Sequence, residues 1–135
     1  MASTSRTTTR VTHYHVQKKR RAEFIEEWRK YQKTVIRRDD VAMEETAPGI
    51  YRGVYVGEDG DRPTRTMDAL AHELEPGAVT NVNRHSWDVM VLCVAGNGWA
   101  EIDGRRVDWG PGDSLHLPLW SWHRFGNDGP DRCCT

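Results

Sequence analysis

The stretch GDSLHLPLWSWHRFGN, Gly112 to Asn127, sets a proline, two tryptophans and a histidine side by side from Pro118 to His123. Indoles packed so closely suit a pocket that binds something flat, or holds a metal, better than a solvated loop. His123, Phe125 and Asn127 alternate along the chain, and on a strand alternate residues share a face. Upstream, Asn83 and His85 share a face by the same rule. If these two strands face each other across a small barrel, His85 and His123 converge. Two imidazoles held by a rigid sheet are a start for a transition-metal site. The plainer reading is a pair of hydrogen-bonded barrel histidines. Trp87, Trp120 and Trp122 are read as lining the mouth, and His116 as a packed strand histidine that could also reach the site. His13-Tyr14-His15 has ligand-like spacing but falls in an N-terminal arm, so it is read as incidental.

Positioning these groups requires strands, and the chain supplies them. Phe24, Ile25, Trp28, Tyr31, Val35 and Ile36 fall at helical spacing, which predicts one amphipathic helix within 16–38, with Glu26 and Lys30 as an i,i+4 pair. Beyond it the period shortens. GIYRGVYVG, MDALAHELEPG, DVMVLCVAGNG, WAEIDG, RRVDWGPGD, SLHLP and WHRFGN read as short strands punctuated by turn residues. Asp103-Gly104 marks a tight hairpin, and Pro118 ends the strand before it. The pattern predicts an all-β barrel or sandwich: a flexible arm over 1–15, a helix and linker over 16–48, and a barrel over 49–135. Only eight residues follow Asn127, without strand pattern. The expectation is that Gly49 to Gly57 or a partner subunit supplies the missing edge, or that the chain is cut short.

Composition narrows the function classes. At 135 residues and 37% hydrophobic, the chain suits one domain with a real core. A net charge of -1 speaks against a nucleic-acid partner, and the basic run Lys18 to Arg21 is read as a solvated helix start. No uncharged stretch is long enough to cross a membrane, so a cytoplasmic protein without a membrane partner is expected. Cys93 is read as a buried core thiol, and Cys133-Cys134 lacks zinc-knuckle spacing.

Gly112, Pro118, Trp120, His123 and Asn127 resemble the second motif of the cupin superfamily, G(X)5PXG(X)2H(X)3N, with Trp120 replacing its second glycine. NRHSWDVMVLCVAG has the shape of the first motif, HXH(X)3-4E(X)6G, with Asn83 in place of the first histidine and Val89 in place of the glutamate. Among cupins, PLWSWHRFGNDG is most similar to gentisate dioxygenase-type sequences. That type holds a non-haem iron on three histidines and does without the glutamate. The resemblance covers roughly Leu74 to Asn127 and implies a small cupin-type β-barrel (jelly roll) with an N-terminal α-helix.

It further implies a divalent metal, Fe(II) first and Mn, Ni or Zn otherwise, on His85, His123 and Asn83. Asp88 or His116 would complete the set, Asp88 only if a turn brings it round. The implied function is a metal-dependent dioxygenase acting on a hydroxylated aromatic acid, whose carboxylate pairs with Arg84 or Arg124 while Trp87, Trp120, Trp122 and His116 line the pocket. The alternative is a non-catalytic small-molecule-binding cupin that has lost part of its metal site. A cupin isomerase or decarboxylase is a third reading. A third ligand separates enzyme from binder. A homodimer is expected, covering the open edge and the helix stripe of Phe24, Trp28 and Tyr31.

Overall fold

The computed structural model describes residues 13–30, 35–57, 64 and 66–135. Helix α1 spans His13–Arg29, followed by a short 3-10 turn at Arg38–Asp40. Among the described residues nine strands follow: β1 Met43–Ala47, β2 Ile50–Val56, β3 Ala69–Leu74, β4 Val89–Leu92, β5 Gly98–Ile102, β6 Arg105–Trp109, β7 Ser114–Leu117, β8 His123–Gly126 and β9 Cys133–Cys134. They form sheets ordered β1-β2-β3-β9, β4-β7 and β6-β5-β8, all antiparallel. Among the described residues, no helix is long and apolar enough to cross a membrane.

Register decides which side chains face inward. Ala100 lies between Val107 and Phe125, and all three belong to the core with Leu74, Cys93, Trp109 and Cys133. Trp99, Glu101 and Arg124 therefore face outward. Trp99 is buried even so, because Arg106 and Arg124 lie over its ring at 4.7 and 5.8 Å. Its indole also covers Gly126, where an added Cβ would sit 2.2 Å from the ring. Asp103-Gly104 makes the expected two-residue turn, both residues at positive φ (48° and 79°).

Several expectations change. The tail after Asn127 does carry a strand: β9 pairs with Leu74 and Glu73 of β3, and Cys134 also bridges Ala95. Two valence-small thiols, one fully buried, serve here as core and edge residues, and turn chemistry hid them. The burial also pushes the Cys133 thiol up to about 11, away from reactivity. Met43–Ala47, assigned to the linker, is an edge strand whose exposed Glu44, Glu45 and Thr46 broke the apolar pattern. The helix ends at Arg29 and begins at His13, inside the supposed arm. Val35 and Ile36 are irregular, and residues 1–12 and 31–34 lie outside the described residues. Lys30 pairs with Glu27, one residue from the expected partner. Phe24 and Ile25 are exposed, so the helical spacing marks no buried face; the Trp28 side chain and Tyr31 lie outside the described residues.

His72 shares the inward face of Leu74 and stands opposite Arg52 of β2. Burial first, and then the Arg52 charge, hold its imidazole below the ordinary value near 6.5. The unfolded chain therefore takes up this proton first, and the native state loses stability as pH falls below about 6.5. Thermal unfolding should show a lower Tm at about pH 5 than at pH 7. His72→Gln should flatten part of that slope, and an unchanged slope would reject the assignment.

Candidate functional site in the barrel

Asn83 and His123 form an antiparallel bridge, with the Asn83 N–H donating to the His123 carbonyl (2.9 Å) and the His123 N–H to the Asn83 carbonyl (2.8 Å). The two histidine-bearing segments are therefore neighbours in one ribbon, not opposite walls. Their rings still converge, with centroids 4.8 Å apart. The Trp87 indole stacks on His85 at 5.0 Å and 8°. His123 is buried, with Phe125 edge-on at 6.1 Å.

The hydrogen bonds fix the tautomers. The Ser121 carbonyl accepts from His123 Nδ1 (3.0 Å), which in the neutral ring leaves the lone pair on Nε2. The Asn83 amide oxygen accepts the Arg84 N–H (2.8 Å), so its NH2 donates to His85 Nε2 (3.2 Å). The His85 proton then sits on Nδ1, which is buried without a partner among the described residues. Burial, followed by the neighbouring His123, lowers the His85 pKa and keeps the ring neutral near pH 7.

Other candidates lie elsewhere. Residues flanking the bridge leave the ribbon on its outer face. There the Arg84 guanidinium lies over Trp122 at 4.3 Å and over Trp120 at 5.2 Å. Arg124 also faces outward and pairs with Glu101 (3.0 Å). His116 stands on the outer face of β7 and meets Asp88 (3.0 Å). Asp88 additionally accepts the Leu119 N–H (3.3 Å), so no turn brings it to His85. Asn127 is structural: its side chain donates to the Leu74 and Asp131 carbonyls and accepts the Gly129 N–H. Sequence reasoning missed Ser121, whose carbonyl orients His123, and the inward pair Arg52 and His72. For the latter, the spacing of His72 to Leu74 was the available signal.

Residues 71–135 match the family model described as Cupin domain. This barrel has the cupin fold. Over 66 residues, 49% of this chain and 18% of the relative, it is 30% identical to 5-aminosalicylate 1,2-dioxygenase of Comamonas sp. Over 68 residues, 50% of this chain and 20% of the relative, it is 34% identical to gentisate 1,2 dioxygenase 1 of Aquipseudomonas alcaligenes. The chain thus spans about a fifth of the length of these relatives. Among solved structures, KdgF from Halomonas sp. superposes with TM-score 0.64 at 22% identity, covering 75% of this chain and 89% of that one. That likeness concerns the fold.

Within this barrel, the donor set falls short of a three-histidine iron centre. A neutral amide replaces one imidazole, and it turns its nitrogen, not its oxygen, toward the site. Among the described residues no three His, Cys, Asp or Glu side chains group to hold a metal ion. The site therefore does not fit a resident iron of the gentisate type.

The second cupin motif departs at Trp120, and the backbone shows why glycine belongs there. Trp120 has φ 59°, at the third position of the turn that the Ser121 N–H closes onto the Pro118 carbonyl. A residue with a Cβ is strained in that region by roughly 1–2 kcal/mol. Trp120→Gly should therefore be more stable than Trp120→Ala by about 1 kcal/mol in urea unfolding, both variants having lost the indole. Equal stabilities would reject the strain.

Proposed function

We propose that this cupin binds a small planar ligand, a hydroxylated aromatic acid, on the inner side of the Asn83–His123 ribbon. One observation carries this reading: the imidazole pair 4.8 Å apart, walled by the Trp87 ring stacked on His85. The Trp87 and His85 rings offer an aromatic flank. His123 Nε2, with its lone pair fixed by the Nδ1 bond to Ser121, accepts a phenolic O–H. The names of the two dioxygenases similar to this chain, acting on 5-aminosalicylate and gentisate, support the ligand class.

A metal-dependent dioxygenase is the second reading. The Nδ1 bond from His123 to a backbone carbonyl favours it, since metal-ligating histidines are oriented in that way. A divalent ion, Fe(II) before Mn, Ni or Zn, would have to displace the Asn83 amide from His85 Nε2.

Titration with a panel of hydroxybenzoates should quench tryptophan fluorescence without added metal. Trp87→Ala should lose part of the quenching. His123→Ala should weaken binding about tenfold, the worth of one hydrogen bond. Oxygen uptake that requires Fe(II) would favour the second reading. A panel that neither quenches fluorescence nor raises Tm would reject the aromatic-acid class.

A further inference from the structure

The ligand proposed above is an acid, yet both arginines expected to take its carboxylate face outward. Arg84 lies over Trp122 and Trp120, and Arg124 pairs with Glu101. A carboxylate drawn out of water loses hydration, so a site for an acid needs a cation to meet it. The wall that carries His123 supplies one. Asn83 bridges His123, His123 pairs with Ile102, and Ile102 pairs with Arg105. These residues form one row across the ribbon, β5 and β6, and residues directly opposite one another share a face. The face is the inner one. Ile102 packs against the core, as do Phe125 and Val107, the next same-face residues after His123 and Arg105. The row ends at the rim beside the Asp103-Gly104 turn, whose Asp103 N–H donates to the Trp122 carbonyl on the ribbon (2.8 Å).

Neighbouring strands lie about 4.8 Å apart, so the Arg105 and His123 backbones are roughly 10 Å apart on one wall. A benzene ring with polar groups at opposite ends spans that gap with one hydrogen bond at each end. Ile102 lies between the two and gives the ring an apolar floor. Arg105 is exposed and enters none of the ion pairs among the described residues, so its guanidinium is uncommitted. Its neighbour Arg106 is turned outward and held by Asp108 and Asp128. Arg52, on the inner face of the other sheet, already has Glu44 as its register partner on β1. The register partner of Arg105 is the uncharged Ile102.

We propose that Arg105 is the carboxylate anchor of this site. The acid lies over Ile102, with its hydroxyl on His123 Nε2 and its carboxylate in the fork of the Arg105 guanidinium. The inference rests on the ligand class proposed above and adds a selectivity to it. Acids whose hydroxyl stands across the ring from the carboxylate reach both ends of the row. In 2-hydroxybenzoate the two groups are adjacent, so it reaches one end only.

Fluorescence titration of the full chain with 4-hydroxybenzoate, its methyl ester and 2-hydroxybenzoate tests this. The wild type should bind 4-hydroxybenzoate about tenfold more tightly than either of the others, the worth of one charge-assisted hydrogen bond. Arg105→Gln should bind acid and ester alike, with the Kd of the ester unchanged, whereas Arg52→Gln should keep the preference for the acid. A wild type that does not distinguish acid from ester overturns the anchor and leaves the ligand class standing. So does a preference that persists in Arg105→Gln or is lost only in Arg52→Gln. Binding of none of the three compounds rejects the ligand class, and the anchor with it. Should Arg105→Gln misfold, Arg105→Lys decides: a point charge replaces the fork, so the preference must fall, and an unchanged preference overturns the proposal.

Discussion

The pair of hydrogen bonds between Asn83 and His123 governs more of this molecule than any other contact. It locks two segments that are distant in sequence into one register, and strand alternation then assigns every neighbour to a side. Asn83, His85 and His123 are turned together on the inner side, while Arg84 and Trp122 are turned together on the outer one. A slip of one residue would exchange the two faces. The ribbon is pinned from outside it as well. The β5–β6 hairpin reaches it through Asp103, which donates its N–H to the Trp122 carbonyl and accepts the Trp122 N–H on its carboxylate. Trp120 donates to the His85 carbonyl, and Ser121 holds the His123 ring.

The rest of the barrel keeps that ribbon rigid. Asn127, fully buried, spends its amide on the Leu74 carbonyl and on the tail, so the end of β8 is tied both to β3 and to β9. Cys133 fills the core beside Leu74, while the charges of Arg38, Glu73, Arg132 and Glu75 cover the outer side of the same sheet. A sheet framework of this kind fixes side-chain directions more firmly than loops could, which a two-histidine site needs.

Where residue chemistry and period agree, the sequence was legible. The strand runs from Ile50 to Gly126, the Asp103-Gly104 turn, the buried Cys93 and the convergence of His85 with His123 all follow from alternation and turn residues. Two kinds of feature escaped. Cys133-Cys134 forms a strand on β3, far away in sequence, and Met43–Ala47 forms one on the adjacent β2, both against weak local pattern. Motif adjacency also suggested that Arg84 and Trp122 share a pocket with the histidines, although they are their immediate chain neighbours. In a strand, adjacency is the reason they point the other way. The helical spacing in α1 misled for a different reason: periodicity shows what a face could bury, and here Phe24 and Ile25 remain exposed.

The central claim is that Asn83, by replacing an imidazole and capping His85 Nε2, leaves two histidines short of a metal centre and suited to an organic ligand. Metal content of untagged protein, wild type beside Asn83→His, tests it most directly. After dialysis against Co(II) or Fe(II), the wild type should retain well under one ion per chain, and Asn83→His should retain about one. A wild type that holds one ion per chain through dialysis, and loses it in His123→Ala, would contradict the account.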